Sequence, residues 1–134
     1  MIDEARTLEE LDGENWGEPE AAPTPMVARC LRLRRTPLHL LSQGDLRLLI
    51  SQKIGLKYTV PKAVKLVSED ALIQAEYYPG DLLCALFQID KGYWSQNTAE
   101  LKWLMAVAQS AASQCGKIVG DCESFLAANR NKLN

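Results

Sequence analysis

The residues best suited to chemistry in this chain are few and scattered. His39 is the single histidine, set between leucines in Pro37-Leu38-His39-Leu40-Leu41. A general base needs a partner that orients it, and no second histidine is there to build a paired site. His39 therefore reads as a side chain at a helix boundary rather than as a base. The four cysteines, Cys30, Cys84, Cys115 and Cys122, have no C-x-x-C spacing and no histidine beside them. Three sit in apolar helical patterns, next to Leu31, Leu83 and Phe125, as small buried hydrophobes do. Neither common glycine-rich phosphate cradle occurs, nor does an H-E-x-x-H pair for a metal. The expectation is a protein that is not an enzyme and takes neither cofactor nor metal.

Charge is the stronger signal. Residues 1–20 hold eight acids against Arg6, a net charge of −7, while the remaining 114 residues carry +5. The acids Glu9, Glu10, Asp12, Glu14 and Glu18 surround Trp16. An acidic run is commonly a solvated segment, or else an arm that meets a basic partner. Trp16 argues for some order, because an indole seeks a surface to pack on. The reading divides the chain into a partly ordered acidic arm, 1–24, and a helical domain, 25–134.

The elements that position these residues are helices almost throughout. Thr24 can cap a helix that opens at Pro25, with Met26, Val27, Cys30 and Leu31 at helical spacing. Arg29, Arg32 and Arg35 point away from that stripe, whereas Arg34 falls within it and must pair or reach solvent. Ser42-Gln43-Gly44-Asp45 reads as a capping box before Leu46, Leu49, Ile50 and Ile54, with Gly55 as the helix stop. A third helix from near Thr59 carries Val60, Ala63, Val64 and Val67. Leu82, Leu83, Leu86, Phe87 and Ile89 cover most of a fourth helix, which should be central. Ser95 can cap a fifth, through about Ser113, with Leu101, Leu104, Met105, Ala108 and Ala112 on one face. Gly116 stops it, and a sixth follows with Ile118, Cys122, Phe125, Leu126 and Leu133 inward. The fold class is all-α, a compact single-domain bundle of about six helices with short connections.

Two stretches invite a functional reading. The segment Leu48–Val67 scans as a helix-turn-helix with Lys57, Lys62 and Lys65 near phosphate reach. Pro61 at the start of its second helix and the acidic balance of the whole chain weigh against nucleic-acid binding, which remains the alternative function. In Tyr77-Tyr78-Pro79-Gly80-Asp81, Pro79 suits a first helical turn and Asp81 complements free amides there. Pro79, Gly80 and Asp81 are thus expected to be structural. No apolar run reaches the ~20 residues a membrane span needs, and the acidic start is unlike a secretory leader. The location expected is the cytoplasm. Apolar helix faces serve a core or an interface alike, so self-association stays open.

Taken in order, several blocks resemble one family: "TLEELDGENWGEP" (Thr7–Pro19), "VARCLRLRRTPL" (Val27–Leu38), "DLRLLISQKIGLKYTVPKAV" (Asp45–Val64), "YYPGDLL" (Tyr77–Leu83), then Tyr93-Trp94. Their collinear order over about residues 7–94 is similar to the immunity proteins of contact-dependent growth inhibition (CDI) systems. The resemblance implies a small, α-helical, non-enzymatic cytoplasmic protein. It implies a partner too, the C-terminal toxin domain of a large secreted effector, very often a nuclease, which the immunity protein blocks by binding. A nuclease presents a basic surface to its substrate, so carboxylates offered there would occlude it. The candidate toxin contacts are Glu9, Glu10, Asp12, Glu14 and Glu18, with Trp16 as an aromatic anchor. Tyr93 and Trp94 of an expected Tyr93–Asn97 loop, and Glu100 on the long helix, complete the set. Direct nucleic-acid or membrane partners are not expected.

Overall fold

A computed structural model of the chain describes residues 3–112 and 119–129. Among these residues there are eight α-helices and no strand. They are α1 (Leu8–Asp12), α2 (Pro25–Arg34), α3 (Gln43–Ser51), α4 (Leu56–Glu69), α5 (Asp81–Phe87), α6 (Lys91–Gln96), α7 (Thr98–Ala112) and α8 (Val119–Asn129). The six longer ones are the six expected from apolar spacing; α1 and α6 are additional. Cys115, Gly116, Ile118 and Leu133 lie outside the described residues.

Local chemistry sets most helix starts. The Thr24 hydroxyl accepts the Val27 N–H, with Pro25 in the first position. Ser42 and Asp45 form a reciprocal capping box, and so do Thr7 and Glu10 at α1. Three boundaries differ from the expectation. First, α3 stops at Ser51 and Lys53 turns with a φ of 60°, leaving Gly55 (φ 61°) as the cap that opens α4. The second helix of this pair thus begins at Leu56 rather than near Thr59, which places Pro61 inside it. Second, Ser95 does not cap the long helix: it lies within α6, its hydroxyl donating to the Gly92 carbonyl, and α7 starts after Asn97. Third, Pro79 precedes α5 instead of forming its first turn, because Gly80 takes a left-handed φ of 88° between them.

Burial follows the apolar stripes and divides into two clusters. The larger joins α4, α5, α7 and α8 with Ile50 of α3 and Trp94 of α6. Leu82, Leu83 and Leu86 of α5 are fully buried at its centre. Phe87 stacks on Phe125 of α8, and Trp94 meets the same ring edge-on. The smaller cluster is built from α2, α3 and Leu8 of α1, with Leu66 of α4 packed against both clusters. The segment expected to be an arm is therefore anchored, since Leu8 is fully buried.

Candidate functional site

Three places gather the residues singled out by sequence. The first lies where the N-terminal segment crosses α2. Helical spacing turns Arg34 inward, and it is only 1% exposed. Asp12 answers it with two charge-assisted hydrogen bonds of 2.7 and 3.0 Å, and the Glu14 carbonyl accepts a third at 2.7 Å. Trp16 covers the guanidinium at 3.9 Å from its ring centroid, held in place because its indole N–H donates to Glu14. Next to it Arg35 donates to Glu9 (3.0 Å) and to both oxygens of Glu18 (2.8 and 3.1 Å). The hydrogen bond from Arg34 holds the Asp12 carboxyl below the usual carboxylate range, and Arg35 does the same for Glu18. Farther up, Glu4 accepts an ion pair from Lys62 of α4, while its carbonyl accepts the His39 backbone N–H. The His39 Nδ1 lies 2.9 Å from that carbonyl too.

Much of the acidic charge is thus matched by the chain's own arginines and Lys62. The carboxylates of Glu10, Glu14 and Glu18 and the ring of Trp16 remain exposed, whereas Glu9 is half-buried. Arg34 carried a readable signal for this arrangement, as a charge inside an apolar stripe. Nothing local named Asp12 as its partner.

The second place is the Tyr77–Asp81 turn. Asp81, 3% exposed, is the first residue of α5, but its carboxylate serves the incoming loop. It accepts the backbone N–H groups of Ala75 (2.7 Å), Glu76 (2.8 Å) and Tyr77 (2.8 Å). Burial alone would raise its carboxyl, yet these amides, with that of Leu82, hold it below the usual range. The loop so fixed delivers Glu76 to Arg29 and Arg47, and Tyr77 to the face of Arg47.

The third place lies between α4 and α7. The expected Tyr93–Asn97 loop is largely helix α6, which buries Trp94 to 1% exposure and leaves it no surface for a partner. Tyr93 is half-buried, and its hydroxyl lies 3.2 Å from Glu100 of α7 and 3.4 Å from the Leu56 carbonyl. Burial pushes the Glu100 carboxyl above its ordinary range, with the Tyr93 hydrogen bond acting the other way. Beside Glu100 a concavity of about 440 Å³ is lined by Pro61, Val64, Lys65, Ser68, Glu69 and Trp103. Trp103, 63% exposed, is a residue the sequence reading did not use. Its signal was position: it falls beside the inward stripe of α7, three residues after Glu100.

The arrangement elsewhere offers little to reacting groups. Among the described residues no three His, Cys, Asp or Glu side chains converge as metal ligands. Cys30, Cys84 and Cys122 are buried and unbonded to one another, and burial pushes the Cys84 thiol up to about 11. No described helix is long and apolar enough to cross a membrane. The α3–α4 pair does form a helix-turn-helix, but Thr59, Val60, Ala63, Val64 and Val67 of its second helix face the core. Lys62 is held by Glu4, which leaves Lys57 and Lys65 as the basic groups on that helix without an ion pair among the described residues.

A family model described as CDI immunity proteins matches residues 10–104, a span that runs from α1 through Glu100 and Trp103. No curated protein and no solved structure matches the chain.

Proposed function

The chain belongs to the family of CDI immunity proteins, and on that premise we propose that it binds the C-terminal toxin domain of a contact-dependent growth inhibition effector and neutralises it. The toxin in this reading is a nuclease, the encounter takes place in the cytoplasm, and the chain acts by occlusion without catalysing a reaction. The observation that carries the reading is the family match over residues 10–104. The charge layout supports it. A nuclease surface must attract a polyanion, and an acidic inhibitor face is drawn to the same surface.

Within this reading the N-terminal acids have divided tasks. Glu9 and Asp12 hold Arg35 and Arg34 and so fix the segment on α2. Glu10, Glu14, Trp16 and Glu18, which also pairs with Arg35 but keeps most of its side chain in solvent, are exposed and would meet the toxin. Tyr93 orients Glu100, and Trp94 packs edge-on against the Tyr93 ring. The test is direct. The purified toxin domain should degrade RNA or DNA, and one equivalent of this chain should abolish the activity. A toxin domain that cleaves neither polymer would contradict the nuclease reading; full cleavage despite a stable complex would contradict occlusion. The acidic face has its own check. Glu14→Lys with Glu20→Lys should slow association several-fold at low salt, an effect that fades near 1 M salt. Glu20→Lys alone, at an exposed acid and with the Glu14–Trp16 hydrogen bond intact, should act in the same direction with unchanged thermal stability. An unchanged association rate would remove the N-terminal acids from the interface.

A further inference from the structure

The groove between α4 and α7 sets an exposed tryptophan beside a half-buried carboxylate. On α7, Glu100, Trp103 and Val107 follow one another at helical spacing beside the inward stripe. On α4, Pro61, Val64, Lys65 and Ser68 face them across the gap. Trp103, Ser68 and Glu69 are shared with a second concavity of about 420 Å³, so the exposed indole stands as a ridge between two hollows. An aromatic ring so placed loses much water contact when covered, which is why tryptophan dominates binding hot spots.

The charges at this groove are unmatched. Asp12, Asp45 and Glu76 each have an arginine, and Asp90 has Lys53. Glu100 is half-buried, and its contact is the Tyr93 hydroxyl. Neither it nor Glu69 has an ion-pair partner among the described residues, and Lys65 on the same wall is within ion-pair distance of neither. A half-buried carboxylate without a cation is left with a desolvation cost that an arriving guanidinium or ammonium relieves. A cation set against Glu100 would lie close to the Trp103 ring, where the ring's face attracts it further.

We propose that the α4–α7 groove, with Trp103 as its ridge and Glu100 on its wall, is the docking site for an apolar segment of the toxin domain that carries an arginine or lysine beside its apolar residues. This rests on the toxin-binding reading and names the part of the surface that decides it. The occupant follows from charge complementarity. An apolar segment alone would leave Glu100 and Glu69 buried without partners, and an acidic one would be repelled.

The experiment is a calorimetric titration of the toxin C-terminal domain, in a catalytically inactive form, against wild type, Trp103→Ala, Glu100→Gln and Leu40→Ala. Leu40 is a comparably exposed apolar control at 61%. Trp103→Ala is expected to weaken binding at least 30-fold and Glu100→Gln about 10-fold, with Leu40→Ala within twofold and all melting temperatures close to wild type. Glu100→Lys should abolish binding, and replacing the toxin's contacting basic residue by Glu should restore part of it. Wild-type binding with Trp103→Ala and Glu100→Gln both within twofold would overturn the groove while leaving the immunity reading intact. No wild-type binding would overturn both. Sedimentation of the chain alone supplies a further outcome: a dimer that Trp103→Ala dissociates would make a second copy the occupant and overturn the proposal.

Discussion

Arg34 carries a charge that α2 turns inward, and the chain answers it with a carboxylate from 22 residues upstream. Removing that carboxylate strands the charge. Asp12→Ala should cost about 1–3 kcal/mol, moderated because Asp12 keeps a third of its side chain in water. The double change Asp12→Ala/Arg34→Met should recover part of the loss, since it removes the stranded charge as well; urea denaturation measures both. Asp81 is the second decisive residue. Asparagine keeps its shape but has one acceptor oxygen for three loop amides, so Asp81→Asn should cost about 1.5–3 kcal/mol, the range for hydrogen bonds to charged groups. The pH dependence follows from the direction of its shift. The folded carboxyl is held below its unfolded value, so the stabilisation is fully present above about pH 4 and is lost as pH falls through the lower folded value. Acid denaturation below pH 4 should thus be steeper in wild type than in Asp81→Asn. Equal slopes would remove the carboxylate's role.

Leu8 and Gly55 show how the elements interlock. A Cβ on Gly55 would stand 2.7 Å from Leu8, and the residue's φ is +61°, so two independent reasons demand glycine. Gly55→Ala should cost about 1–2 kcal/mol for the left-handed backbone, plus the clash. Leu8→Ala should cost about 2–5 kcal/mol as a buried truncation. The double variant should be less destabilised than the sum of the two, because removing the leucine relieves the clash. Deleting residues 1–14 should lower the melting temperature, as loss of a core side chain does and loss of a solvated arm does not. At this scale the sequence was legible where one residue can do one job. Ser42 with Asp45, and Thr24 with Pro25, mark their helices without ambiguity. It was not legible where local rules permit two outcomes. A glycine after an apolar stripe can end one helix or open the next. Proline before Gly-Asp suits a first turn until Gly80 goes left-handed and moves the boundary past it. The short α1 and α6 owe their place to tertiary burial of Leu8 and Trp94, which periodicity over five or six residues cannot reveal.

Across the whole molecule, α3 joins two clusters of buried residues: Ile50 faces the larger, while Leu46, Leu48 and Leu49 face the smaller. The all-α class and the six longer helices could be read from spacing because each stripe is wide and unbroken. The candidate site was only half legible. Its acids were visible as a charge excess, but charge counts do not tell which carboxylates are already held by arginines, as Glu9, Asp12 and Glu18 are. Trp103 was hard to read for a similar reason: its position beside the inward stripe was a signal, but a tryptophan among apolar helix residues is assigned to the core until a neighbouring helix shows which face stays open. The role in CDI immunity is tested most directly in cells that express the toxin C-terminal domain from an inducible promoter, with or without this chain. Growth should stop without the chain and be restored with it, and the two proteins should co-purify as a complex from the rescued cells. Continued growth arrest with the folded chain present at an equal or higher level would contradict that role.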